Sequence, residues 1–157
     1  MQTQQNNEAS KSRFSYTTKR YARLAFVQAI FQSHMTGQHM NDVKEFFLNS
    51  IIRREVDGIF IDASEKYFIK LVQSISDLQR FDNLISDKIE RDAYRLDNVS
   101  LSILRAAIHE KYLIKVHSQV VISEYLEIAK SFFDESPKVK LINGVLDKIF
   151  NEITEVD

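Results

Sequence analysis

One proline and three glycines in 157 residues leave this chain few places to turn sharply. A sandwich or barrel needs many tight turns, and those turns draw on glycine, proline and asparagine. The scarcity of breakers therefore points to an all-α chain, and the apolar residues agree. From Thr17 onward they recur at i, i+3 and i+4, and no segment shows sustained strand-like alternation flanked by turn residues. Hydrophobic residues make up 44% of the chain and charged residues 27%, as in a soluble globular protein. A chain of this length buries roughly two-thirds of its unfolded surface, so it needs no covalent staple.

The absence of cysteine rules out disulfides, thiolate metal sites and cysteine nucleophiles, and it fits a reducing, cytoplasmic setting. No apolar run approaches the roughly 18–20 residues of a membrane span. The opening MQTQQNNEASKSRFSYTTKR has no apolar stretch for a secretory signal. Its Ser/Thr content with a single acid also fits a transit peptide, the weaker reading. Charge is uneven. Lys11, Arg13, Lys19, Arg20 and Arg23 face Glu8 alone within residues 1–36, so that segment carries +4 and the rest of a chain of net charge −1 carries −5. A basic end on a mildly acidic body can steer a polyanion to one face. A solvated basic tail explains the same charge more blandly.

Residues 1–16, rich in Gln, Asn and Ser, hold too little apolar surface to order themselves and are expected to form a disordered tail; residues 17–157 form the domain. Seven helices are expected there. The first runs from about Thr18 to His34 with Gly37 past its end, and the second from Asn41-Asp42 to about Arg54. A turn follows at Asp57-Gly58. The third begins near Asp62 or Ser64 and carries Tyr67, Phe68, Leu71, Val72 and Ile75. The fourth spans about Leu78 to Arg91, the fifth Val99 to Ile114 behind Asp97-Asn98, and the sixth Ser118 to Phe133. Ser136-Pro137 opens the seventh, with proline at the first helical position, where its missing N–H costs nothing. Seven helices joined by short connections exceed one four-helix bundle, so the expected architecture is two small packed helical bundles sharing a core.

Catalytic constellations are weak. His34 and His39 are five apart, a poor spacing for two ligands on one face. His109-Glu110 lacks the second histidine of H-E-x-x-H. The plain reading of His34, His39, His109 and His117 is surface or packed histidine, so no metal and no cofactor is expected. Glu124 and Glu127 share a helical face without a histidine and read as solvated, with Lys130 as an ion-pair partner of Glu127. The three glycines lie too far apart for a phosphate loop. Gly144 sits inside a helical pattern at a cost of about 1 kcal/mol, which suggests close helix packing or a close partner.

The first helix says more. Each residue advances about 100°. With Lys19 at zero, Arg23 falls at about 40°, Arg20 at about 100° and Phe31 at about 120°, with Val27 and Ile30 inside the same arc. Ala22, Ala25, Phe26 and Ala29 cluster opposite, where a core would lie. Cations and an aromatic ring thus share the face that is not the obvious core face. Cations meet phosphates, and a ring can stack on an unpaired base. The competing reading packs Val27, Ile30 and Phe31 on a neighbouring helix, with Arg and Lys covering the edge.

Lys19 to Phe31, KRYARLAFVQAIF, resembles the opening "RRxARexAvQaLY" of the NusB family of bacterial transcription antitermination factors. VSLSILRAAIHE (99–110) resembles "VerAILRlAxyE", VISEYLEIAKSF (121–132) resembles "AINEaveLAKkF", and SPKVKLINGVLDK (136–148) resembles "SpkFINGVLDK". These blocks lie in family order over most of residues 19–150, while residues 38–95 match in helical pattern and spacing alone. The resemblance implies an all-α fold of two small bundles and a function without catalysis. Such proteins pair with NusE, a small-subunit ribosomal protein. The pair binds boxA, a single-stranded RNA element of ribosomal RNA leaders, and loads an antitermination complex onto RNA polymerase.

Residue by residue, the resemblance assigns RNA contact to Arg20 and Arg23 of the arginine-rich motif, to Lys19 beside it, and to Gln28, Phe31, Lys140 and Leu141. Tyr21 stands where relatives carry another arginine, so the motif is thinner. Phe31 replaces a tyrosine and keeps the ring without the hydroxyl. Leu141 replaces an aromatic. Ser100 stands in place of a glutamate linked to the NusE interface, Glu135 falls at an acidic loop position, and Ser123 replaces an asparagine. Self-association into a dimer covering the RNA face is a further reading that the sequence leaves open. Two other classes compete. One is a stand-alone relative of the NusB-like module fused to rRNA cytosine methyltransferases, although this chain has neither a Gly-rich cofactor loop nor a cysteine nucleophile. The other is a helical protein-interaction domain with no RNA role, which a flat response to RNA would favour.

Overall fold

The computed structural model describes residues 2–75, 78–90, 92–134 and 136–156, with side chains from Thr18 onward except at Val56, Ile61 and residues 153–156. Seven α-helices are found among the described residues, as expected from the periodicity, in two compact units, Met1–Val72 and Gln73–Asp157.

The first unit holds α1 (Gln2–Thr36), α2 (Met40–Ser50), strands β1 (Arg53–Val56) and β2 (Ile59–Asp62), and α3 (Glu65–Gln73). Helix α1 extends to Gln2, well before the expected start at Thr18. At its other end Gly37 takes φ +73° and donates its N–H to the Ser33 carbonyl at 3.0 Å, a left-handed exit that a side chain would strain. His39 then caps α2, its Nδ1 accepting from the Asn41 N–H at 3.1 Å.

The hairpin corrects the expectation of a second helix reaching Arg54 and of no strands. Arg53 pairs with Asp62, Arg54 with Ile61, Glu55 with Phe60 and Val56 with Ile59, antiparallel. Asp57 and Gly58 between them both have positive φ, +51° and +78°, as a two-residue turn matched to strand twist requires. The Ala63 N–H donates to the Ile52 carbonyl at 3.0 Å and continues the ladder. Phe26, Ala29, Ile30, Val43, Phe47, Phe68 and Leu71 form the core of this unit, and Phe47 stacks on Phe68 with centroids 6.0 Å apart.

The second unit is a four-helix bundle of α4 (Leu78–Ile89), α5 (Asn98–Ile114), α6 (Ser118–Phe133) and α7 (Pro137–Val156), with a 3₁₀ turn at Ala93–Arg95. Helix α5 lies at its centre, in contact with α4, α6 and α7, and every residue from Ser100 to Glu110 is buried. A central helix needs apolar residues on all sides. One charge that α5 buries is paired: Arg105 grips Asp82 of α4 with two hydrogen bonds, Nε at 2.8 Å and Nη2 at 2.7 Å, both residues nearly inaccessible. Asp97 caps α5 and His117 caps α6, as side-chain acceptors for the Ser100 and Gln119 N–H groups. Pro137 is the first residue of α7.

Candidate nucleic-acid interface

The middle of α1 is buried on both arcs. Ala22, Ala25, Phe26 and Ala29 are buried as the helical arithmetic predicts, and so are Val27 and Ile30 of the opposite arc. The packing reading is correct for those two residues. Phe31 and Gln28 remain half-buried.

Arg23 is the main correction. Its position on the cationic arc suggested an outward guanidinium, yet the residue is 4% exposed. Tyr67 of α3 accounts for this. The guanidinium carbon lies 5.2 Å from the centre of the Tyr67 ring, and Nη2 donates to the phenol oxygen at 3.4 Å. Periodicity within one helix cannot announce a ring arriving from 44 residues away. Lys19 leans on the same ring, its ammonium 5.4 Å from the centroid, but stays exposed; Arg20 is half-buried. Among the described side chains, the cationic surface of α1 is therefore Lys19 with Arg20, backed by Arg23 and Tyr67. Tyr67 itself reads in the sequence as part of an apolar stripe. Its hydroxyl, at the edge of the stripe whose centre is Phe68, Leu71 and Val72, is the one signal that it faces something polar.

An open groove of about 600 Å³ adjoins this surface, lined by Thr18, Arg53, Asp62, Ser64, Glu65 and Lys66 among others. It offers little to an anion. Arg53 lies 3.5 Å from an Asp62 oxygen and 3.6 Å from a Glu65 oxygen.

In the second unit Lys140 is exposed and Leu141 half-buried on the first turns of α7. Nearby Lys138 lies 3.6 Å from an Asp97 oxygen and 4.8 Å from the centre of the Phe133 ring. Ser100 is buried, contrary to a contact surface: its N–H and hydroxyl donate to the two Asp97 oxygens at 2.8 and 2.7 Å. Burial alone would raise the Asp97 carboxyl, but the two Ser100 hydrogen bonds and the Lys138 charge outweigh it and hold the carboxyl below its ordinary range. Glu135 lies outside the described residues.

Three other sequence readings have structural outcomes. Glu127 pairs with Lys130 at 3.3 Å as expected. Glu124 does not join it in solvent: it is fully buried, and that burial, with the Glu127 charge, raises its carboxyl to about 7. Gly144 is exposed on α7, and an added Cβ would meet nothing within 4 Å, so no helix packs closely over it. Among the described residues no group of His, Asp or Glu could hold a metal ion, and no helix is long and apolar enough to cross a membrane.

The NusB family profile matches residues 20–151. The chain belongs to the NusB family. The transcription antitermination protein NusB of Sinorhizobium fredii is 37% identical over 138 residues, 84% of this chain and 85% of that protein. The same protein from Brucella anthropi is 36% identical over 133 residues, covering 82% and 79%. Among solved structures, T. maritima NusB superimposes with a TM-score of 0.69 at 28% identity, covering 85% of this chain and 91% of its own. A chain from the crystal structure of antitermination factors NusB and NusE in complex with dsRNA gives a TM-score of 0.65 at 23% identity, covering 86% and 97%, a likeness that speaks for the fold. NusB membership places the chain among transcription antitermination factors and not among enzymes.

Proposed function

We propose that this NusB-family chain is an RNA-binding adaptor that acts in the cytoplasm. It binds boxA-type single-stranded RNA of ribosomal RNA leaders together with NusE, and so joins an antitermination complex on RNA polymerase. The observation that carries the reading is the cationic surface of α1, where Lys19 is exposed and Arg20 half-exposed beside the buried Arg23 and the half-buried Tyr67. Those two cations are suited to contact phosphates. Gln28 and Phe31, both partly accessible, supply a hydrogen-bonding amide and a ring further along the helix. In the second unit Lys140, with the partly exposed Leu141 beside it, is a separate contact. Glu135 is assigned to NusE; the buried Ser100 enters only by shaping the cap of α5.

The test is a titration of labelled boxA RNA with this chain, with NusE, and with both. Binding is expected to be weak for the chain alone and tighter for the pair. The same affinity with and without NusE contradicts the adaptor reading, and no binding in any mixture favours a protein-interaction domain. Sedimentation of the free chain reports whether a dimer competes with RNA for this surface.

A further inference from the structure

Tyr67 touches two cations at once. Lys19 and Arg23 are one helical turn apart on α1, and the half-buried ring lies within 5.4 Å of the first and 5.2 Å of the second. Its hydroxyl also accepts from Arg23 at 3.4 Å. The backbone beneath the ring is fixed as well. The Ser64 N–H donates to the Thr18 carbonyl of α1 at 3.0 Å, and Ser64 Oγ accepts from the Tyr67 N–H at 3.3 Å. The residue that caps α3 is thus itself tied to the residue before Lys19.

An exposed lysine on a helix samples many rotamers, and a phosphate that captures it must freeze them. A ring face beside the ammonium limits those rotamers before any ligand arrives, and the attraction to the π-face persists in water. Arg23 is too buried to meet a strand of RNA, but it lies against the same ring and the same hydroxyl, so it fixes the tilt of Tyr67 from inside.

We propose that Tyr67 is a positioning residue of the RNA surface: its ring holds Lys19 where a phosphate is met, and Arg23 acts through that ring rather than by touching RNA. The surface that receives the phosphodiester backbone then includes the start of α3 as well as α1. This rests on the RNA-binding reading above.

The experiment uses the full chain with NusE and labelled boxA RNA, titrated at several KCl concentrations. Three variants are compared: Tyr67→Phe, which keeps the ring and removes the hydroxyl; Tyr67→Leu, which removes the ring; and pentafluorophenylalanine in place of Tyr67, which keeps the ring's shape and reverses its charge distribution. Tyr67→Phe is expected to bind within about threefold of wild type, and the other two about tenfold more weakly. Their plots of log affinity against log salt should be shallower by about 0.7, one phosphate on a single strand. Wild-type affinity and slope in the latter two overturn the inference. If Tyr67→Leu does not fold, the fluorinated variant against Tyr67→Phe decides alone, and equality overturns it. If wild type itself binds no RNA, the RNA reading falls and this inference with it; wild-type binding with unmoved variants overturns the inference alone.

Discussion

Single side chains in this protein change character with what the fold lays over them. Glu124 and Glu127 are three residues apart on α6, and sequence spacing treats them alike. In the structure Glu127 reaches Lys130, while Glu124 is buried with its carboxyl raised to about 7 by that burial and by the Glu127 charge. A carboxyl raised in the folded state binds its proton more tightly there than in the unfolded chain. Its contribution to stability is complete below the ordinary value of 4.5 and is lost as pH rises through about 7. Glu124→Gln keeps the neutral shape at every pH. The variant should therefore melt several degrees above wild type at pH 8 and close to it at pH 4.5, as thermal denaturation across that range would show. An equal difference at both pH values contradicts the assignment. Arg23 teaches the same lesson about legibility. Its identity as a cation on α1 is plain in the sequence, but its burial depends on Tyr67, which no local pattern places beside it.

Whole elements were easier to read, because their ends are set by local chemistry. Helix α6 runs Ser118–Phe133 with the bounds the helical period predicts, the His117 side chain capping it, and α7 starts at Pro137, as expected from a proline that lacks only an unneeded N–H. The hairpin is hard to read in the sequence for an equally local reason. Its strands are four residues each, too short for alternation to show, and Arg53-Arg54 can extend a helix as well as form a strand. The Asp57-Gly58 dipeptide held the signal, since two adjacent residues at positive φ are what a tight hairpin needs. On α7, Gly144 is exposed with open space over its Cα, so the helix bears the cost of a glycine without a packing return within the structure. Gly144→Ala should raise unfolding free energy by about 1 kcal/mol in urea titrations. A destabilised variant would show that the glycine is needed for packing after all. A stabilised variant with weaker RNA binding would show that a partner comes close to the helix at that point, one turn after Lys140.

At the scale of the whole molecule, the fold class followed from the scarcity of breakers and the helical period, and the family from four ordered blocks of sequence. The proposed RNA surface is only half legible in the sequence. Which residue types it uses could be read; which of them reach solvent could not, because burial is decided by neighbours distant in sequence. Among the described side chains of α1, Lys19 with part of Arg20 remains outward, a small cationic surface on a chain whose net charge is −1. The proposed attraction to RNA is then local and weakens with salt, since each phosphate neutralised releases counterions. The decisive measurement is the salt dependence of boxA RNA binding by the chain–NusE pair, for wild type and for Lys19→Ala with Arg20→Ala. The account predicts weaker binding by the double variant with an unchanged melting temperature, and a log–log salt slope shallower by about 1.4, two phosphates at about 0.7 each. Unchanged affinity and slope in a folded double variant would contradict it.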